Sequence, residues 1–219
     1  MNIAIVGATG NVGRKLIEVL EKKNFPISEL FLIASSKSVG KKINYNGKEH
    51  SVIDLEKFDF SKVKIAFFAA GSAIAEKWAY VAAEKTIVID NSKFFRKDSD
   101  IPLVVPEVNS KELAHFKNKN IIANANCSVI PIVVALKPLH DLYNVKRIIV
   151  STYQSVSGAG KAPMDELLSQ TQEYFENKKL ESNILQNKLH LMLFRISIVF
   201  WKMAIPKKSK KPQMKLRKF

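Results

Sequence analysis

An α/β fold built on a doubly wound parallel sheet is predicted by three features of this chain. It opens on a buried-type strand, Asn2-Ile3-Ala4-Ile5-Val6, that runs straight into a glycine-rich turn and a helix. Short β-branched runs then alternate with helical patterns along the chain. Such alternation places helices over both faces of a parallel sheet. Finally, 47% of the 219 residues are hydrophobic, enough to bury a sizeable core.

Each element has its own sequence signal. Residues 2–6 are apolar and β-branched, as a fully buried strand requires. Arg14 to Lys23 follows helical spacing, with Leu16, Ile17, Val19 and Leu20 inward. Phe31–Ala34 is the second expected strand and Val63–Ala70 the third. An alanine-rich helix spans 73–85, carrying Ala73, Ala75, Ala79, Val81, Ala82 and Ala83. Thr86–Asp90 is a strand, Pro102–Pro106 an extended stretch, and Asn120–Ala123 a strand leading to a helix near 128–142. Val145–Tyr153 begins a new strand and Met164–Lys178 a helix.

Charge distribution bounds the partners. The net charge of +15 suggests nucleic acid, but residues 1–186 hold 25 Lys+Arg against 20 Asp+Glu. Residues 187–219 hold 10 Lys+Arg and no acid, so two thirds of the excess lies in 33 residues. No basic region precedes the first apolar run, which ends in glycine. Neither a signal peptide nor a membrane span is expected there, and a cytoplasmic location is. The expected partner is a small molecule, not nucleic acid or membrane. One cysteine excludes an internal disulfide.

Two segments carry chemistry. Gly7, Gly10 and Gly13 follow a strand and open a helix. Without Cβ atoms the backbone can approach a pyrophosphate, which the free N–H groups of the helix end would meet. The bland alternative is a tight turn. About 20 residues past the loop, NAD binders usually place an acid; here Ser35-Ser36-Lys37-Ser38 has hydroxyls and a lysine. That set suits a 2′-phosphate, hence NADP, unless the segment is only a solvated basic loop.

Cys127 falls between a strand and a helix, at the sheet edge where ligands bind and where the helix dipole favours thiolate. Thiolate attacks carbonyls. A buried structural cysteine is equally compatible with that position alone. The polar, glycine-rich stretch Tyr153–Lys161, closing a strand, favours the reactive reading.

Together, Gly7–Gly13, Ser35–Lys41, Phe95–Asp98, Val104–Asn109, Asn126-Cys127-Ser128 and Tyr153–Gly160 resemble the aspartate-β-semialdehyde dehydrogenases, in the family's order and across roughly residues 1–185. Val129, Pro131 and Pro163 depart from the family pattern. The resemblance implies a Rossmann-type NADP domain over 1–144. The start of an α+β substrate and dimerisation domain over 145–185 follows, and then a basic tail over 186–219. It implies reductive dephosphorylation of L-4-aspartyl phosphate to the semialdehyde, in lysine, threonine and methionine biosynthesis, by a homodimer. Cys127 would carry the acyl group as a thioester, Gln154 would orient the intermediate and Arg96 would hold the phosphate. Thr9, Gly10, Asn11 and Val12 would line the pyrophosphate, Lys37 and Ser38 the 2′-phosphate, and Ser157 and Gly158 the nicotinamide end. The family's acid/base histidine and carboxylate-binding arginine have no counterpart here, so low turnover is expected of this chain.

The tail has a further reading. From Leu185, codons read one base upstream can restore a run resembling the family's continuation, including its Lys-Glu-Glu segment, which points to a frameshift product. A basic tail binding RNA or a membrane surface is the alternative. Rival functions are an N-acetylglutamyl-phosphate reductase, which shares the glycine loop and thiol, and a non-catalytic basic binding protein.

Overall fold

The computed structural model describes residues 1–176, 178 and 194–202. The chain divides into two compact units, Met1–Val134 and Ala135–Phe219.

The first unit opens with β1 (Asn2–Val6), α1 (Asn11–Lys22) and β2 (Glu29–Ala34). A hairpin of β3 (Lys42–Tyr45) and β4 (Lys48–Ser51) follows, and then β5 (Ile53–Asp54) and β6 (Ile65–Phe68). After these come α2 (Ser72–Ala83), β7 (Ile87–Asp90), β8 (Leu103–Val104), α3 (Pro106–Asn109), β9 (Ile121–Asn124) and α4 (Val129–Tyr143). Seven strands form one sheet in the order β5-β2-β1-β6-β7-β9-β8, every pair parallel. The predicted doubly wound parallel sheet is therefore the observed one.

Why the winding is double can be read from β1. Strand side chains alternate between faces. Ile3 and Ile5 pack with Ile17 and Leu20 of α1 in one core cluster. Ala4 and Val6 pack with Ala75, Ala79, Ala82 and Ala83 of α2 in another. The two helices thus cover opposite faces. Alanines at those helical spacings present a low surface, letting α2 lie close on the sheet.

Three expectations need correction. Val19 is 41% exposed: at 3.6 residues per turn it lies roughly 160° round the helix from Ile17, off the buried stripe of Gly13, Ile17 and Leu20, and α1 begins at Asn11, three residues before the predicted start. In α2, Ala73 and Val81 are exposed on the solvent side. The strands at 42–54 were not anticipated. Polar Lys42, Asn44, Lys48 and Glu49 hide the hairpin, and Asn46-Gly47 at its turn, both with positive φ, is the signal that was available.

The division into units falls inside α4, between Val134 and Ala135. Pro138 lies within that helix and has no N–H to give Val134 O, four residues back. The second unit holds β10 (Arg147–Ser155), α5 (Lys161–Phe175) and β11 (Phe194–Lys202). β10 and β11 pair antiparallel over nine residues, Arg147 opposite Lys202 and Ser155 opposite Phe194. Of the basic tail expected from 186, residues 194–202 form β11, while 186–193 and 203–219 lie outside the described residues. No helix among the described residues is long and apolar enough to cross a membrane.

Candidate active site

All strands of the first unit's sheet are parallel, so their carboxyl ends share one edge. The chain leaves β1 toward β2 on one side and later returns to place β6 on the other. Ligands bind at such a switch point. Gly7 lies there. Its N–H donates to Ile33 O at 2.8 Å, and its φ of +88° is the left-handed region that favours glycine. A Cβ on Gly7 would stand 2.7 Å from Ala69 C and O, at the end of β6. A Cβ on Gly13 would stand 2.2 Å from Gly7 O. Both glycines let backbone pack on backbone where a side chain would fill the cradle.

Gly10 precedes α1 with an extended conformation and no side-chain cap. The α1 N-terminus therefore offers its N–H groups and positive dipole end outward, past Thr9, Gly10, Asn11 and Val12. Val12 is 55% exposed, an apolar side chain held at the rim of this edge. The residues present fit a dinucleotide pyrophosphate. At the next strand end, Ser36–Ser38 form a 3₁₀ turn closed by Ser38 N on Ser35 O at 2.8 Å. Lys37 is exposed there.

Cys127 sits where predicted. Asn126 O accepts from Val129 N at 2.9 Å and Ile130 N at 3.1 Å, and Asn126 Oδ1 accepts from Ser128 N at 2.9 Å. Asn126 thus caps the first turn of α4, and Cys127 is the next residue. The thiol is exposed, its Sγ 3.9 Å from Asn126 Oδ1 and 3.9 Å from Ser128 Oγ. It is not the buried structural cysteine of the alternative reading.

Arg96 lies on a 3₁₀ turn, Phe95–Lys97, after β7. Its Nη2 donates to Asn91 O at 2.9 Å and its Nε to Asn124 O at 3.0 Å. Two of its five donors are so used, and the others have no partner among the described residues. Burial lowers its pKa, while the charges of Asp90 and Cys127 favour the guanidinium form.

Asp90 was not foreseen. It is fully buried at the end of β7; Oδ2 accepts from Ser92 Oγ at 2.6 Å, and Oδ1 has no partner among the described residues. Ser92 Oγ accepts from Phe94 N at 3.1 Å, folding the turn that leads to Arg96. Burial raises the carboxyl's pKa above 3.8; the Ser92 bonds and Arg96 oppose it. A raised folded-state value means the native state holds its proton longer. Stability from this group is full below pH 3.8 and is lost as pH rises through the higher folded value. Asp90→Asn should therefore gain on the wild type progressively as pH rises through that window. Urea midpoints of both proteins across pH 4–8 check this, and a constant difference would refute it.

In the second unit, Gln154 is half-buried near the end of β10 and its Oε1 accepts from Thr152 Oγ1 at 3.4 Å. Ser155 caps the turn Val156–Ala159, its Oγ accepting from Ser157 N at 3.3 Å and lying 2.9 Å from Ser157 Oγ. Ser157 and Gly158 are exposed on that turn, and Gly160, φ +103°, redirects the chain into α5.

Fold and site thus define a dinucleotide-binding α/β protein with a cysteine at the ligand edge of its sheet. Residues 2–116 match the family profile described as semialdehyde dehydrogenase, NAD binding domain, and residues 136–212 the one described as semialdehyde dehydrogenase, dimerisation domain. The chain belongs to the semialdehyde dehydrogenase family. Aspartate-semialdehyde dehydrogenase 2 of Vibrio cholerae is 52% identical over 189 residues, covering 86% of this chain and 56% of that protein. Aspartate-semialdehyde dehydrogenase of Aquifex aeolicus is 50% identical over 180 residues, 81% of this chain and 53% of that one. The crystal structure of the Vibrio cholerae enzyme II complexed with ASA superposes with a TM-score of 0.81 at 50% identity, over 85% of this chain and 56% of that one. The Candida albicans aspartate semialdehyde dehydrogenase with NADP gives 0.58 at 27% identity, over 72% and 51%. The chain spans about half the length of the relatives it matches.

Proposed function

We propose that the chain carries the nucleotide site and nucleophile of an NADP-dependent aspartate-semialdehyde dehydrogenase acting on L-4-aspartyl phosphate. The observation that carries this reading is the placement of exposed Cys127 on the first turn of α4. Arg96 is tied by its Nε to the carbonyl of Asn124, three residues before Cys127. Cys127 Sγ attacks the acyl carbon, the C–O bond to phosphate breaks, and the phosphate leaves against the Arg96 guanidinium, whose forked donors match its oxygens. The product is a thioester on Cys127. NADPH, when bound, supplies the hydride that takes this acyl group to the aldehyde level. Gly7, Thr9, Gly10, Asn11, Val12 and Gly13 would hold its pyrophosphate, Lys37 and Ser38 its 2′-phosphate, and Ser157 and Gly158 its nicotinamide end. Gln154 would orient the acyl group. The whole protein would work as a homodimer.

Mixing the chain with aspartyl phosphate should release one equivalent of inorganic phosphate per chain in a burst, with acylated Cys127 found by intact mass. No burst and no adduct would refute the reading. Cofactor choice has its own test. Lys37→Ala should weaken NADPH about tenfold and leave NADH unchanged, since only the former carries a 2′-phosphate for the cation to meet. Equal losses for both cofactors would show that Lys37 does not read that phosphate.

A further inference from the structure

We propose that the side-chain amides of Asn91 and Asn124 form a brace that aims Arg96, making both asparagines positioning residues for the anion site. This inference rests on the reading of Arg96 as the phosphate-holding residue. The ladder between β7 and β9 ends at the pair Asp90–Ala123. Asn91, the residue after β7, and Asn124, the last of β9, come next. Their side chains continue the pairing where the backbone stops, Asn124 Nδ2 donating to Asn91 Oδ1 at 2.7 Å. Arg96 then straddles the two strand ends, with Nη2 on Asn91 O and Nε on Asn124 O.

A guanidinium is a rigid planar fork, so two acceptors fix its plane and the direction of its remaining donors. Those acceptors are main-chain carbonyls on two different strands. Past the last β7–β9 ladder pair, Asn91 N donates to Phe68 O at 2.9 Å and Asn124 stays paired with Val104 of β8, so each end is tied to its outer neighbour, and the side-chain hydrogen bond from Asn124 to Asn91 links the two ends to each other. The segment that begins at Asn124 reaches Cys127 three residues later, so the same brace fixes the anion site relative to the thiol. A misplacement of about 1 Å in such a constellation can cost 10²-fold.

Asn91→Ala and Asn124→Ala each delete the brace and keep both carbonyls, so any effect must pass through geometry. Both side chains are half-exposed, and the urea midpoint of each variant is the control for folding. The probe is inorganic phosphate, titrated into the full chain by calorimetry, beside the Arg96 Nε–H signal in ¹⁵N NMR. Each single variant should weaken phosphate about tenfold, the double variant no further, and neither should add to Arg96→Gln. The Nε–H signal should be resolved in the wild type and lost to water exchange in both variants. Phosphate affinity unchanged in the alanine variants but lost in Arg96→Gln overturns the brace and leaves Arg96 as the anion residue. Affinity unchanged in Arg96→Gln overturns the phosphate reading instead. The Nε–H signal then decides the brace separately: its persistence in Asn124→Ala refutes it, and its loss supports it.

Discussion

Cys127→Ala is expected to abolish the phosphate burst from aspartyl phosphate, lowering its rate at least about 10³-fold, to that of hydrolysis in solution. The size of the loss follows from chemistry, not from packing. The thiol is exposed, with polar contacts to Asn126 Oδ1 and Ser128 Oγ, each at 3.9 Å, so its removal leaves no buried unsatisfied group. The urea midpoint should stay within about 0.5 kcal/mol of the wild type. Cys127→Ser is the sharper variant. It keeps a nucleophilic atom in place but replaces the thiol by a hydroxyl, a far weaker nucleophile at neutral pH. It too should show no burst. A burst surviving in either variant would mean that another group takes the acyl moiety, and the mechanism would fall with it.

What the sequence revealed, and what it hid, divides along physical lines. The sheet was legible because strands buried on both faces are written as apolar runs, and β1 carries one beside its glycine turn. Cys127 was legible because the junction of β9 and α4 can be read from composition alone. Arg96 entered through resemblance, since nothing in its spacing indicates that it reaches back to Asn91 O and across to Asn124 O. Asp90, Asn91, Ser92 and Asn124 were missed altogether. They are small polar residues at strand ends, and such residues ordinarily close turns. Their work depends on β7 and β9 being neighbours, which is a property of topology. The available signal is the run Asp90-Asn91-Ser92, three polar side chains at the end of a buried strand and therefore on the ligand edge. Val19 failed for a different reason. Val19 is apolar but sits two residues past Ile17, nearly opposite it on the helix, so hydrophobicity alone draws the inward face of α1 too wide.

Gly13→Ala should destabilise the first unit by about 3 kcal/mol and weaken NADPH at least about 100-fold. Two effects oppose each other here. Gly13 lies in the first turn of α1, where alanine would ordinarily stabilise the helix by about 1 kcal/mol. Against this, the added Cβ would meet Gly7 O at 2.2 Å, Ala8 Cα at 2.8 Å and Gly7 C at 2.9 Å. All three are backbone atoms, so no side chain can swing away. The loop cannot retreat, because Gly7 is pinned by its N–H on Ile33 O and faces the Ala69 backbone on its other side. Relief must come from α1 sliding off the loop, which uncovers Ile17 and Leu20 and moves the N–H groups proposed to meet the pyrophosphate. The clash therefore outweighs the propensity. Gly10→Ala separates the two consequences. Its Cβ would meet only Gly7 O, at 3.3 Å, so the fold should lose less than about 1 kcal/mol. The methyl group would still stand where the helix N-terminus approaches a ligand, so NADPH should weaken at least tenfold, by roughly the 1.4 kcal/mol that one such obstruction implies. Urea denaturation and NADPH fluorescence titration of both variants give the four numbers. If Gly13→Ala melts like the wild type, backbone-on-backbone packing at this turn is not what requires glycine. If Gly10→Ala binds NADPH unchanged, the pyrophosphate does not lie against this turn.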